Sequence, residues 1–245
     1  MAACAAGVQV QGMLPSLFGL AKKPLGALKL TVYQKMSMLK DIELAVRVLK
    51  KGGVIAYPTD TAYGLGALAN SVPALKKIYK IKGRSAIKAV SIAVSDLSQA
   101  RKIAVFDERA LIFWRKFMPG TLTLVLPLKK SLFQRKSWRI LSGGKKVGIR
   151  MAKHPFPQLI TKKLGVPITT TSANISGKSP CYSAQEIELE FKKRKYKPDL
   201  IVNGGKLKKG RISTVVDLTA NDIKILREGS ISKKQIFDAL KQMTI

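Results

Sequence analysis

Hydrophobic and polar positions follow a regular pattern from about residue 39 onwards. Between residues 39 and 49 apolar side chains recur three and four positions apart, which predicts a helix that ends at Gly52-Gly53. Residues 54–57 are Val-Ile-Ala-Tyr, and this short apolar run before Pro58 predicts a buried strand. Further helices are predicted at 74–80, 107–118, 155–164, 184–194 and 233–241, and further strands at 89–94, 121–126, 147–151, 166–170, 200–202 and 213–218. Because strands alternate with helices throughout, the sequence predicts an α/β (α+β) fold with helices packed on a sheet.

One long segment, 129–146, shows no such pattern and holds seven lysines and arginines. A basic stretch of that length inside a compact domain is usually a functional lid or a disordered insertion. We therefore predict that 129–146 is an irregular loop of one of these two kinds.

The first 38 residues differ from the rest, because no Asp or Glu occurs before Asp41. They lack the basic start and apolar core of a secretory signal, and they contain no Arg, unlike a typical organelle transit peptide. We expect 1–38 to be a disordered extension, a transit segment, or the result of a start codon upstream of the true one. Residues 39–245 are predicted to form the folded domain. The expected location is the cytoplasm, or a mitochondrion or plastid if 1–38 is a transit peptide.

Composition narrows the classes of function. The chain has 245 residues, of which 46% are hydrophobic, enough for a sizeable core. Its 45 basic and 14 acidic residues give a net charge of +31, which indicates a polyanionic environment such as nucleotide phosphates, RNA or an anionic membrane surface, or else a solubilising surface. Two distant cysteines favour neither a disulfide framework nor a zinc site, and a single histidine excludes a multi-histidine metal centre. No apolar run is long enough for a transmembrane helix, so no membrane partner is expected.

Three segments could carry chemistry. Residues 57–66 place hydroxyls, one carboxylate and two glycines after a strand, where α/β proteins bind ligands, although an ordinary polar turn has the same composition. Residues 80–88 hold four cations in nine positions, which could surround a triphosphate or simply form a solvated helix end. Residues 169–176 hold five hydroxyls and one amide, which suits recognition of a nucleotide or an amino acid.

Two single residues stand beside these segments. Arg150 ends a predicted strand, and a buried arginine there requires a carboxylate or phosphate partner. His154 follows shortly after and is more typical of a capping or packing residue than of a catalytic one.

Taken together and in this order, the segments resemble the YrdC-like family, the threonylcarbamoyl-AMP synthases. The resemblance spans about residues 39 to 230 and rests on Pro58–Leu65, Lys82–Arg84, Pro119–Thr123 and Ser172–Gly177. It implies a twisted mixed sheet with helices around a large concave basic cavity, in the single-domain form. It also implies that L-threonine, bicarbonate and ATP, assisted by Mg²⁺, give threonylcarbamoyl-AMP and pyrophosphate. A threonylcarbamoyl-transferase complex would then modify tRNA.

The resemblance also implies a role for each matched position. Threonine is expected at Thr61, Arg150, Thr170 and Ser213, and ATP at Arg84, Lys88, Lys146, Ser172 and Arg227. The catalytic set is expected to be Lys82, Arg84, Ser172 and Asn174, with no metal ligand assigned to the protein. Arg150 could pair with the threonine carboxylate, while Lys82, Arg84 and Lys88 offset charge on pyrophosphate.

Two other functions remain open at this point. The first is an RNA-binding module that grips tRNA or rRNA on the concave basic surface. The second is a carbamoyl-transfer domain like that of hydrogenase-maturation proteins.

Overall fold

A computed structural model describes residues 25–83 and 89–241, with side chains from residue 36 onwards. The chain divides into two units, 1–39 and 40–245. The described part of the first unit, 25–39, is helical, and helix α1 as a whole spans Leu25–Lys50. It thus begins before the point at which the apolar pattern becomes regular. The assignment of 1–38 as an extension stays a prediction.

The second unit contains two mixed β-sheets. The first has four strands in the order β7-β2-β1-β8 and the second has six in the order β10-β9-β4-β5-β3-β6. The strands are β1 (Ile55–Tyr57), β2 (Gly64–Gly66), β3 (Ile92–Ala93), β4 (Leu122–Pro127), β5 (Lys146–Arg150), β6 (Ile168–Thr169), β7 (Thr171–Ser172), β8 (Leu200–Ile201), β9 (Thr214–Asp217) and β10 (Lys224–Arg227). Each sheet combines parallel and antiparallel pairs, for example β1 parallel to β8 and antiparallel to β2.

Seven further helices follow α1 in the described residues. They are α2 (Val72–Lys82), α3 (Leu97–Arg101), α4 (Glu108–Phe117), α5 (Lys136–Ser142), α6 (Pro155–Leu164), α7 (Ala184–Phe191) and α8 (Lys233–Lys241). All five helices and all six strands predicted after the first pair are present, with ends that differ by a few residues. The predicted α/β fold is therefore confirmed.

Helix α2 links the two halves of the core. Its residues Leu75 and Tyr79 belong to the larger apolar cluster, built mainly on the six-stranded sheet, while Ile78 and Ile81 belong to the smaller cluster. The helix begins at Ser71, whose Oγ accepts from the Ala74 amide (3.4 Å). It ends at Gly83, which adopts φ = +56°, a conformation that other residues rarely take. This geometry places Lys82 at the last turn of a well-anchored helix.

The prediction of an irregular loop over 129–146 is wrong. Its middle forms α5, whose Trp138 and Leu141 are buried in the larger cluster, and its last residue begins β5. Two apolar residues three positions apart are enough to bury one face of a seven-residue helix. This short apolar face was not recognised in the sequence because lysines and arginines flank it.

Candidate active site

A cavity of about 500 Å³ opens between strands of the two sheets. Its size lies within the range typical of small-molecule sites. The charged side chains among its described lining residues are all cations: Lys82, Lys146, Arg150 and Arg227. Hydroxyl groups supply most of the other polar lining, from Thr59, Thr61, Ser91, Thr123, Thr170, Thr171, Ser172, Ser176 and Ser213. The cavity therefore offers many neutral hydrogen-bonding groups around a few positive charges, an environment that suits an anionic polar ligand.

Arg150, the last residue of β5, is held from three sides. Its Nε donates to the Gly120 carbonyl (3.2 Å), one Nη to Thr61 Oγ1 (2.9 Å) and the other Nη to Asp60 Oδ1 (2.5 Å). The side chains of Arg150 and Asp60 are only 8% and 12% exposed. Burial lowers the pKa of the Arg150 guanidinium, and the negative charge of Asp60 opposes that shift.

The arrangement around Arg150 leaves donors available. A guanidinium has five N–H groups, and the contacts within the described structure use three, so one N–H remains on each Nη. Asp60 also keeps one oxygen, Oδ2, buried and without a hydrogen-bond partner among the described residues. The carboxylate partner expected from the sequence is thus confirmed, and Arg150 can still bind an anion.

The turn that carries Asp60 and Thr61 is shaped by its own side chains. Thr59 Oγ1 donates to the Ala62 carbonyl (2.6 Å) and lies 3.2 Å from Thr61 Oγ1. These short-range contacts hold the hydroxyl of Thr61 toward Arg150. The segment is therefore an organised part of the cavity wall and not an ordinary polar turn.

A second arginine, Arg227, lies on the edge strand β10 of the six-stranded sheet. Its Nε and one Nη donate to the Ser213 carbonyl (3.0 and 2.8 Å), and the same Nη donates to Ser213 Oγ (3.0 Å). Both arginines line the cavity. Desolvation lowers the pKa of Arg227, and the like charge of Arg150 lowers it further. Gly229 lets the chain pass close by, because a Cβ there would lie 2.0 Å from the Ile212 carbonyl oxygen.

Lys82 is buried, with 3% of its surface exposed, and three oxygens of the described residues accept hydrogen bonds from its ammonium. These are the Ser172 carbonyl (2.6 Å), the Asn174 carbonyl (3.0 Å) and Asn174 Oδ1 (3.1 Å). Ser172 Oγ also donates to Asn174 Oδ1 (2.6 Å), and Asn174 Nδ2 donates to the Lys178 carbonyl. Within the described residues the Lys82 ammonium therefore joins α2 to the loop after β7. Its expected role toward the charge on pyrophosphate stays a prediction.

Lys146 and Thr170 complete the predicted set within the described residues. Lys146 is half exposed and pairs with the buried Asp217 (2.9 Å). Burial raises the pKa of Asp217, but hydrogen bonds from Thr219 and Lys146 outweigh it, so the pKa lies below its usual range. Thr170 lines the cavity, and its amide donates to the Ser91 carbonyl (2.7 Å).

The structure brings together every predicted site residue that it describes. Arg84 and Lys88, assigned to ATP, lie outside the described residues. Asp60 and Thr123 lie in segments noted in the sequence, but neither was given a role; the Thr123 hydroxyl lies 3.1 Å from Ser213 Oγ. The need of a buried Arg150 for a carboxylate, together with the one carboxylate in 57–66, could have identified Asp60.

Three other predictions concern His154, metal ligands and membrane-spanning helices. His154 caps α6, because its Nδ1 accepts from the Phe156 amide (3.1 Å), so the prediction of a capping histidine is confirmed. Among the residues that the structure describes, no group of three His, Cys, Asp or Glu could hold a metal ion. Nor does that part of the chain contain a helix long and apolar enough to cross a membrane.

Comparison with known proteins gives matching relatives over most of the chain. A threonylcarbamoyl-AMP synthase of Bacillus subtilis is 38% identical over 80% of this chain and 55% of its own length. A putative threonylcarbamoyl-AMP synthase of Methanocaldococcus jannaschii is 34% identical over 78% of this chain and 87% of its own length. The chain thus spans about half the length of the Bacillus relative and most of the Methanocaldococcus one.

Solved structures agree on the fold. Pyrococcus abyssi Sua5 complexed with L-threonine superposes with a TM-score of 0.74, at 34% identity over 81% of this chain and 57% of that one. Escherichia coli YciO superposes with a TM-score of 0.68, at 30% identity over 80% of this chain and 93% of that one. Full-length HypF, at 18% identity, shares the fold alone.

The sequence model of the Sua5, YciO and YrdC proteins, described as "Telomere recombination", matches residues 47–229. That range includes every residue assigned above to the cavity. The chain therefore belongs to the Sua5/YciO/YrdC family, with threonylcarbamoyl-AMP synthases among its relatives.

Proposed function

We propose that this chain is an L-threonylcarbamoyladenylate synthase, a nucleotidyltransferase, and that the cavity is its active site. The observation that carries the proposal is the buried group formed by Arg150, Asp60 and Thr61, with two guanidinium N–H groups left for an anion. The relatives named as synthases, and the Pyrococcus Sua5 solved with L-threonine, support it. Nothing in the comparisons favours an RNA-binding module as the primary function.

In this proposal the threonine carboxylate binds the free N–H groups of Arg150. A bidentate guanidinium contact orients a carboxylate as well as attracting it. Thr61, Thr170 and Ser213 surround the same space and would fix the rest of the amino acid. The α-amine is then left to react with bicarbonate, which yields a carbamate and releases water.

The carbamate oxygen next attacks the α-phosphate of ATP, and pyrophosphate leaves. The residues proposed to contact ATP are Arg84, Lys88, Lys146, Ser172 and Arg227. Cations placed around the phosphates stabilise charge that builds on the leaving group, and they need no reorganisation during the step. The proposed catalytic set is Lys82, Arg84, Ser172 and Asn174, in which Lys82 acts by holding the loop of Ser172 and Asn174.

Mg²⁺ is proposed to accompany ATP. Two carboxylates that contact cavity-lining cations are already in ion pairs, Asp60 with Arg150 and Asp217 with Lys146. The ATP phosphates and water would therefore supply most of the Mg²⁺ ligands, and Mg²⁺ would neutralise part of the phosphate charge. The product is proposed to pass to a threonylcarbamoyl-transferase complex that modifies tRNA, in the cytoplasm. Residues 39–245 are proposed to be sufficient for the synthase reaction.

The direct test measures pyrophosphate released from ATP with threonine and bicarbonate each omitted in turn. We expect release to require both substrates, and to fall strongly in Arg150→Met while Arg150→Lys keeps part of it. Calorimetric titration with L-threonine would show the same order of affinity. Equal pyrophosphate release with and without threonine would refute the proposed function.

A further inference from the structure

A second concavity, of about 770 Å³, shares no lining residue with the active-site cavity. We call it the basic groove. Two prolines and Asp199 line it, together with a group of six residues: Lys76, Lys77, Lys80, Lys195, Tyr196 and Lys197. Three of these residues lie on α2 and three on the segment that follows α7. Neither the fold nor the proposed synthase reaction accounts for five lysines gathered around one tyrosine.

The sequence concentrates charge on one side of this groove. Residues 192–197 read Lys-Lys-Arg-Lys-Tyr-Lys, five cations in six positions, and all six are exposed. Such short basic runs are typical of surfaces that bind nucleic acid. On the other side Lys76 and Lys80 lie one helical turn apart, about 6 Å along the axis of α2. The positive surface therefore continues from the basic run onto the helix.

Buried residues and hydrogen bonds at both ends of the run 192–197 hold its like charges close together. Phe191 and Pro198, on either side of the run, are both buried. Asp199 accepts the Val54 amide on Oδ2 (2.7 Å), and its own amide donates to the Val54 carbonyl (2.7 Å). The run is thus anchored at both ends to the four-stranded sheet.

The groove keeps most of its charge unneutralised. Lys77 pairs with Asp199, and it alone of the five lining lysines makes an ion pair within the described part of the chain. Tyr196 forms an aromatic floor, with the Nζ of Lys80 5.2 Å and that of Lys195 6.0 Å from its ring centroid. Tyr196 is 36% exposed, so a flat group can reach its ring. Nucleic acid offers both phosphates for the four lysines that make no ion pair and bases for the aromatic ring.

We propose that the basic groove binds RNA, with its lysines on the phosphates and Tyr196 against a base. This surface is distinct from the concave cavity to which RNA binding was assigned from the sequence. An anionic membrane is disfavoured, because stable attachment needs an apolar anchor and Leu189 is the one strongly exposed apolar residue of the neighbouring α7. The proposal does not depend on the synthase reaction.

The size of the effect follows from counterion release. Four lysines that each neutralise one phosphate give a slope of about −3 for log K against log salt. Affinity then falls about 100-fold between 50 and 200 mM salt through the groove alone. Replacing the four lysines that make no ion pair with glutamine should remove about three from that slope, since each phosphate contact contributes about 0.7 to 0.9.

The experiment measures anisotropy of a labelled, unmodified tRNA transcript with the full chain over that salt range. Lys76→Gln/Lys80→Gln/Lys195→Gln/Lys197→Gln is compared with Lys224→Gln/Lys233→Gln/Lys234→Gln/Lys241→Gln, which removes the same charge from exposed positions on β10 and α8. We expect the first variant to lose RNA affinity and slope and the second to keep both nearly unchanged. Equal weakening in the two variants would show a general charge effect and overturn the proposal.

Two further measurements test base stacking on Tyr196 and the choice of RNA over lipid. Tyr196→Leu should weaken tRNA binding about 5- to 10-fold without changing the salt slope, because stacking releases no counterions, whereas Tyr196→Phe should bind like the parent. Vesicles containing phosphatidylserine test the lipid alternative; groove-dependent binding to vesicles without groove-dependent binding to tRNA contradicts the proposal. Thermal unfolding of each variant checks that the fold is intact, and these exposed substitutions should leave it so.

Discussion

Lys82 offers the sharpest test of how the site is built. Lys82→Met removes the ammonium and keeps a side chain of similar length in the buried space at the end of α2. The change removes the ammonium donor from three oxygens: the carbonyls of Ser172 and Asn174, and Asn174 Oδ1. The Ser172 carbonyl keeps the Asn174 amide and Asn174 Oδ1 keeps Ser172 Oγ as donors. The substitution also abolishes the desolvation cost of a buried cation, which acts in the opposite direction.

The magnitude follows from these opposing terms. A hydrogen bond to a charged group contributes about 1.5 to 3 kcal/mol, and three are lost, but the removed desolvation cost and water from the cavity offset part of that. We expect the free energy of unfolding to fall by about 2 to 4 kcal/mol. For a domain of this size each kcal/mol lowers Tm by about 2 to 4 °C, so the melting temperature should drop by about 5 to 15 °C.

Urea unfolding and thermal melting of Lys82→Met measure the effect. Lys178→Met is the matched control, because Lys178 lies in the same loop but its side chain is 59% exposed and makes an ion pair with Glu190. We expect less than about 1 kcal/mol of change for this control. If Lys82 served instead as a phosphate ligand, Lys82→Met would lose activity while its free energy of unfolding stayed the same or rose. That result would refute the positioning role.

Three other predictions concern neighbouring residues. Asp60→Asn should lower the free energy of unfolding by about 2 to 4 kcal/mol, because the buried Arg150 loses its counter-charge. Glu43→Gln, which removes the charge of an exposed ion pair, is the control and should change it by under about 1 kcal/mol. Equal urea midpoints for the two variants would contradict this prediction. Arg150→Lys should raise the KM for threonine about 10- to 100-fold with a smaller change in kcat, since lysine cannot form the two-point contact; an unchanged KM in the pyrophosphate assay would remove Arg150 from the threonine site. Burial lowers the pKa of His154, so the folded state stabilises the neutral imidazole. The resulting stability is fully present above the pKa that His154 has in the unfolded chain, and it is lost as pH falls through the pKa in the folded protein. His154→Asn, which keeps a capping side chain, should therefore lose less stability than the parent between pH 7 and pH 5 in urea titrations, and parallel losses would show that another group is responsible.

The spacing of apolar residues was sufficient to predict the helices and strands in which that spacing is regular. The helices over 155–164 and 233–241 have the predicted ends, and β4 and β9 lie within about one residue of theirs. The strands β2 and β7 were missed because they are two or three residues long and consist mainly of glycine and hydroxyl residues. Glycine is depleted in strands, and one threonine in a two-residue segment is too short to form a pattern. These segments form strands because β2 pairs with β1 and packs Leu65 into the smaller cluster, and β7 in turn pairs with β2.

The basic segment 129–146 shows the converse error. Its charge suggested a loop, yet burial of Trp138 and Leu141 folds it into α5 against α2. Exposed lysines cost little on the outer face of a helix, so net charge carries no information about whether a segment is folded. The buried face decides, and only the packed structure shows which face that is.

The amino-acid sequence by itself determined which chemical groups the site would contain. Hydroxyls after β6, an arginine at the end of β5 and a lysine at the end of α2 are all readable in order along the chain. Only the tertiary structure decided what each group touches: Asp60 meets Arg150 across 90 residues, and Lys82 reaches Ser172 across the same separation. The physical reason is that the partner of a buried charge is chosen by distance and desolvation in the folded state, and neither is a property of neighbours in sequence.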